Sequence, residues 1–77
     1  MTGELYFDET KKLPLAEAVG RAAGVYVAKH GALAQVCYVN SVQNPAPPDY
    51  AAGVRIKAAP YVQLNHYWAG EDSEAAK

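Results

Sequence analysis

The run PLAEAVGRAAGVYVAKH (residues 14–30), closed by Gly31 and followed by AQVCYVN (residues 34–40), organises the chain. Pro14 suits a first helical turn, where its missing N–H would have no partner anyway. Gly31 is a natural stop, because the residue just past a helix often needs a positive φ. Lys29 and His30 fall in the last turn, where positive charge complements the helix dipole. Leu15, Val19, Ala22 and Tyr26 recur at helical spacing, joined by Ala18 and Val25, so this stripe is expected to face a core. Glu17 and Arg21, four apart on the outer side, can pair for roughly a few tenths of a kcal/mol.

A second stripe runs along the same helix. Ala16, Gly20, Gly24 and Ala28 form a ridge of small residues spaced by four. Each interior glycine costs about 1 kcal/mol relative to alanine. Three explanations are open: a close contact between copies through Gly20 and Gly24, close packing inside one chain, or glycine tolerated on an exposed face. Glu17, Arg21 and Lys29 interrupt the segment, so it is not expected to span a membrane.

The strand at 34–40 places Val36 and Tyr38 on one face and Cys37 and Val39 on the other. Apolar groups on both sides suggest a central strand. Ahead of the helix, residues 4–7 alternate, with Leu5 and Phe7 on one face and Tyr6 on the other. If that first strand lies in parallel beside 34–40, the helix is the crossover between them. Asp8 or Thr10 could help start the helix.

Residues 41–50 carry Pro45, Pro47 and Pro48, which remove ladder donors and restrict the residues before them, giving a semi-rigid loop. It either connects two strands or recognises a ligand through Asp49 and Tyr50. Residues 53–58 alternate, Val54, Ile56 and Ala58 against Arg55 and Lys57, as a half-buried strand does. Pro60 ends that run. A last strand is expected near 66–69 after a bend at Asn65, with Trp68 as a core or edge plug. The predicted architecture is β-α-β-β-β, a small α+β or α/β domain over residues 1–70. One helix packs on one face of a mixed sheet of three or four strands, and residues 71–77 form an acidic, disordered tail.

At 77 residues the chain is long enough for one domain with a marginal core. Half its residues are hydrophobic, but many are alanine. Domains this small often gain stability from a partner subunit, which favours a homodimer or larger assembly. The net charge of −1 is uneven: Glu71, Asp72 and Glu74 against Lys77 put −2 on the last seven residues, leaving the remainder at +1. Neither part has the clustered cations of a phosphate-binding surface, so nucleic acid is a disfavoured partner. Cys37 is the single cysteine, which excludes an internal disulfide and fits a reducing compartment. No basic stretch ahead of an apolar run marks a secretion signal, and a cytoplasmic, prokaryotic-type protein is the expectation.

Chemistry is sparse. Cys37 sits mid-strand, typical of an inert thiol, and could meet His66 only if their strands pair with matching faces. Two histidines and one cysteine in separate elements are a weak metal set. Gly20 and Gly24 lie inside a helix, where the N–H groups are occupied, so they do not form a phosphate loop. No cofactor, metal or catalytic residue is assigned.

The VCYVN strand (36–40) after a helix and glycine, with LNHYWAG (64–70) later, resembles a group of short prokaryotic proteins. These have a V-C-[FY]-V-N strand and an L-P-N-H-[FY]-W ending, and here Leu64 steps directly to Asn65 without the proline. The resemblance, from about Leu15 to Gly70, implies a shared small α/β fold. It carries no activity and no site residues.

One helix cannot cover both faces of such a sheet. The uncovered face is expected to carry Arg55, Lys57 and some of the six tyrosines, a residue favoured at interfaces. The leading expectation is a non-enzymatic protein-interaction module, self-associating through Tyr38, Tyr50, Tyr61 and Tyr67 or through the glycine ridge. One alternative is a small-molecule or peptide binder using the 41–50 loop. The other is an enzyme built on Cys37 and His66.

Overall fold

The computed structural model describes residues 3–10 and 13–71; nearly all of the acidic tail expected at 71–77 lies outside them. The elements are β1 (Gly3–Phe7), α1 (Leu15–His30), β2 (Val36–Asn40), β3 (Tyr50–Ala51), β4 (Val54–Ala59) and β5 (His66–Gly70). One helix lies against a five-stranded mixed sheet of order β1-β5-β2-β4-β3.

The helix ends follow local chemistry. Pro14 occupies the N-cap without a side-chain cap, and Gly31 stops the helix at φ 69°, its N–H donating to the Val27 carbonyl at 2.8 Å. The turn before the helix is organised by Asp8, which is 2 % exposed. Its carboxylate accepts from the Thr10 N–H at 3.0 Å, the Thr10 hydroxyl at 2.7 Å and the Leu13 N–H at 3.2 Å. Ala18, Val19, Ala22 and Tyr26 are buried against the sheet, with Leu15 packed beside them.

The pairing differs from the parallel β1–β2 expectation. β5 inserts between them and runs antiparallel to both. β1 and β2 are therefore parallel in sense but are not neighbours, and α1 crosses over a strand that arrives later in the chain. β5 can take the middle place because it is apolar on both faces, with Tyr67 and Ala69 on one side and Trp68 on the other. β2 pairs β4 in parallel on its far side. The fifth strand, β3, starts at Tyr50, the last residue of the segment expected as a proline-bearing loop.

Two side-chain placements are corrected. Tyr67, expected on the open face, is 2 % exposed and sits under the helix, because the alternation of β5 puts Tyr67 and Ala69 on the covered side. Ala58, expected in the core with Val54 and Ile56, is exposed. The helix lies chiefly over β5 and β1 and does not cover that end of β4.

The glycine ridge also resolves. Ala16, Gly24 and Ala28 face solvent and Gly20 is half-buried. A methyl on Gly20 would touch only the Ala52 methyl at 3.6 Å, and one on Gly24 would meet nothing within 4 Å. Close packing inside the chain therefore does not require these glycines. Glu17 and Arg21 pair at 3.5 Å with both side chains more than half exposed, which adds little stability.

Candidate functional site

Helix α1 covers the face carrying Tyr6, Tyr67, Ala69, Cys37, Val39, Val54 and Ile56. The strand registers put the alternate residues on the opposite face. There Leu5 pairs across to Trp68, Trp68 to Tyr38, and Tyr38 to Lys57, in a row crossing four strands. Arg55 and Tyr50 lie next to one another on the same face at the β3 end. This open face is aromatic. Tyr38 packs against Trp68 with ring centroids 5.6 Å apart and against Tyr61 at 6.2 Å, both tilted. Phe7 packs on His66 at 4.8 Å.

A cavity of about 550 Å³ opens on this face, lined by Leu5, Tyr38, Tyr61, Val62, Gln63, His66 and Trp68. Its floor is β1, β5 and β2. Its lip is the turn between β4 and β5. Two loops lock that lip in place. Buried Asn40 donates through Nδ2 to the Val62 carbonyl at 2.6 Å and accepts through Oδ1 from the Gln43 N–H at 2.6 Å. Gln43 and Asn65 pair doubly, Nε2 to Oδ1 at 2.9 Å and the Asn65 N–H to Oε1 at 2.9 Å. Asn65 turns the chain at φ 61°, a conformation that asparagine tolerates better than most residues. His66 Nδ1 lies 2.8 Å from the Leu64 carbonyl, holding the ring at the rim.

Of the expected contact residues, Tyr38 and Tyr61 line the cavity. Tyr50, 65 % exposed, lies at the far edge of the same face with Arg55 and Lys57. Tyr67 is buried, and Gly20 and Gly24 lie on the helix, on the other side of the sheet. The 41–50 loop does not wall the cavity; it borders the β4 edge, where the Asp49 carbonyl accepts from the Ile56 N–H at 2.8 Å. Leu5, Val62 and Gln63 also belong to the site and are not expected there from sequence, as do Trp68, expected as a core or edge plug, and His66, weighed only as a partner for Cys37. The alternation of Leu5 with Tyr6 and of Trp68 with Tyr67 was readable, but not which set the helix would cover.

Trp68 lies flat across Gly3. A methyl built on Gly3 would overlap the indole ring, so glycine at this place in β1 is what lets the ring rest on the strand. Gly3→Ala is expected to lift the ring and destabilise the fold by about 1–3 kcal/mol, the usual cost of overpacking. Trp68 is the sole tryptophan, so its emission should move to longer wavelength as the ring leaves the sheet. Unchanged emission and stability would contradict this placement.

The remaining chemistry is dispersed. Cys37 is fully buried on the helix side, and burial pushes its thiol up to about 12. His66 is on the opposite face, and Cys37 registers with Ala69 instead, so the two do not meet. His30 stacks on Tyr26 at 4.6 Å, and its Nε2 lies 3.4 Å from Glu4, which Lys29 also approaches at 3.5 Å. Among the described residues no three His, Cys, Asp or Glu side chains gather as a metal site, and no helix is long and apolar enough to cross a membrane. No protein-family model, curated protein or solved structure matches the chain.

Proposed function

We propose that this chain is a non-enzymatic protein-interaction module that holds an apolar or aromatic side chain of a partner polypeptide in the open-face cavity. The observation that carries this reading is the concave cluster of Leu5, Tyr38, Tyr61 and Trp68 on the face that α1 leaves bare. Its volume is within the range of about 300–1,000 Å³ usual for binding pockets. Tyrosine and tryptophan in a concave, partly desolvated setting are the residues that most often dominate binding energy. Lys57 and Arg55 are the cations of this face among the described residues. Two are too few to track a phosphate backbone, which favours a polypeptide over a nucleic acid. The lone cysteine, free and buried, suits a reducing compartment such as the cytoplasm.

Selection from a displayed peptide library tests the reading. Selected peptides should carry an aromatic or aliphatic anchor and perturb Trp68 emission on binding. Tyr61 is 69 % exposed, so Tyr61→Ser should leave the fold intact while weakening binding tenfold or more, about 1.4 kcal/mol. Peptides that bind this variant as well as the native protein, or a selection that yields none, would overturn the proposal. The concavity also favours a second reading, a small-molecule binder at the same cavity. An aromatic fragment that raises the melting temperature of the native protein but not of Tyr61→Ser would support that instead.

A further inference from the structure

The two edges of the sheet are built differently. The β4 side is blunted by the two-residue β3 and by the loop carrying Pro45, Pro47 and Pro48, the usual means of preventing strand addition. The β1 side is not. β1 is a five-residue strand with no proline or lysine, and among the described residues no strand pairs with its outer side.

The direction of its free groups can be read from one hydrogen bond. Asp8 N–H donates to the Asn65 carbonyl at 2.9 Å, continuing the β1–β5 register by one residue. In an antiparallel ladder bonded pairs alternate, so Tyr6 and Glu4 exchange bonds with β5. Gly3, Leu5 and Phe7 therefore aim their N–H and C=O groups away from the sheet. The side chains of Leu5 and Phe7, on the open face at this same edge, are 59 % and 43 % exposed. Outward-facing backbone groups, with no strand partner among the described residues, and exposed apolar side chains thus coincide along one line.

We infer that β1 pairs antiparallel with β1 of a second copy about a twofold axis at Leu5, joining two sheets into one of ten strands. This register sets Leu5 against Leu5 of the second copy and Gly3 against Phe7 of the second copy. The three outward residues on each side then exchange about six main-chain hydrogen bonds. The Trp68 ring lies over Gly3, so Phe7 of the second copy falls beside that ring. On the helix side Glu4 falls opposite Tyr6 of the second copy. Arg21, paired with Glu17 in its own chain, also sits beside the Tyr6 hydroxyl, so each Glu4, already beside Lys29 and His30 of its own chain, meets a further cation of the other subunit. This apolar and charge complementarity favours a second copy over a foreign strand. The pairing does not depend on the cavity having a ligand. It does place two cavities on either side of the Leu5 seam, because Leu5 lines each of them.

Light scattering on eluted protein over a wide concentration range, with amide hydrogen exchange, tests this. The native protein should be a dimer that dissociates on dilution. The Leu5 and Phe7 amides should be protected in the dimer and lose protection in the monomer, while Glu4 and Tyr6 stay protected in both. Phe7→Lys, at a position that does not itself line the cavity, should weaken dimerisation tenfold or more, and Leu5→Lys should do the same. Tyr61→Ser should dimerise normally even where it loses peptide binding, so failure of this inference and failure of the cavity reading are separable. A monomer at every concentration overturns the pairing, as does a dimer whose Leu5 and Phe7 amides exchange freely or one that tolerates both lysines. A monomer whose Leu5 and Phe7 amides become protected only on adding an unrelated strand-forming peptide overturns the choice of a second copy.

Discussion

Asn40→Ala is expected to destabilise the domain by about 2–4 kcal/mol. Asn40 is 7 % exposed and uses both ends of its amide, one on the Val62 carbonyl and one on the Gln43 N–H. Alanine removes two hydrogen bonds and leaves their partners unsatisfied, at about 1–3 kcal/mol for each buried group. The total stability of a chain this size is about 4–12 kcal/mol. The loss is therefore a large fraction of the whole, equivalent to a fall of about 8–32 °C in Tm. Gln43→Ala is the control. It keeps the Gln43 backbone N–H on Asn40 and removes only the exposed pairing with Asn65, so it should cost about 1 kcal/mol or less. Urea denaturation of the two variants checks the ranking. Equal midpoints would mean that the clamp on the cavity lip does not depend on Asn40. Because Val62 lines the cavity, Asn40→Ala should also loosen the lip, seen as faster exchange of the Val62 and Gln63 amides.

The second large effect is in alkali. The Cys37 thiol is raised from 9.0 to about 12 by burial. An acid whose folded pKa is raised keeps its proton in the native state while the unfolded chain loses it. The stabilising contribution of that difference is complete below pH 9 and is lost as pH rises through 9 to 12. The slope over that window is about −1.4 kcal/mol per pH unit. Tyr67, raised by burial and by the nearby charge of Asp8, contributes in the same direction from about pH 10 upward. Denaturant titrations at pH 8 and at pH 10.5, run on the native protein and on Cys37→Ala, isolate the thiol. The native protein should lose about 2 kcal/mol more than the variant over that interval. The same burial should make Cys37 resist alkylation at neutral pH until the chain unfolds. Rapid labelling of the native protein would contradict both expectations and reopen a nucleophilic role for Cys37.

Much of the fold is legible without coordinates. The helix begins and ends where Pro14 and Gly31 say it should, because φ limits at a single residue are local. β2, β4 and β5 fall close to the expected positions, since period-two alternation and flanking prolines are also local. The architecture of one helix on one face of a mixed sheet follows from that element count. Tyr38, Arg55 and Lys57 are on the open face because each alternates with a residue that the helix buries, whereas Tyr61 reaches it from the turn between β4 and β5.

Strand order was not legible. Which strand lies beside β2 depends on how β5, some thirty residues later, competes with β1 for the same hydrogen-bonding edge. Nothing in residues 3–7 encodes that outcome. The side taken by Tyr67 is not legible for a related reason: both faces of β5 are apolar, so composition alone does not tell which face is covered. The clamp from Asn40 to Val62 and Gln43 joins segments that local patterning treats as separate. The proximity of Asn40, at the end of one apolar strand, and Asn65, at the start of another, was the faint signal available.

Sequence alone therefore determined the helix, its ends, the strands and the shortage of cover for one sheet face, since these rest on backbone limits and side-chain periodicity within a few residues. Tertiary structure alone decided that β5 divides β1 from β2, that Tyr67 is interior, that Leu5, Tyr38, Tyr61 and Trp68 converge in one cavity, and that β1 lies at an edge of the sheet. These outcomes depend on which distant surfaces exclude water from one another, a competition that is settled only when the whole chain packs.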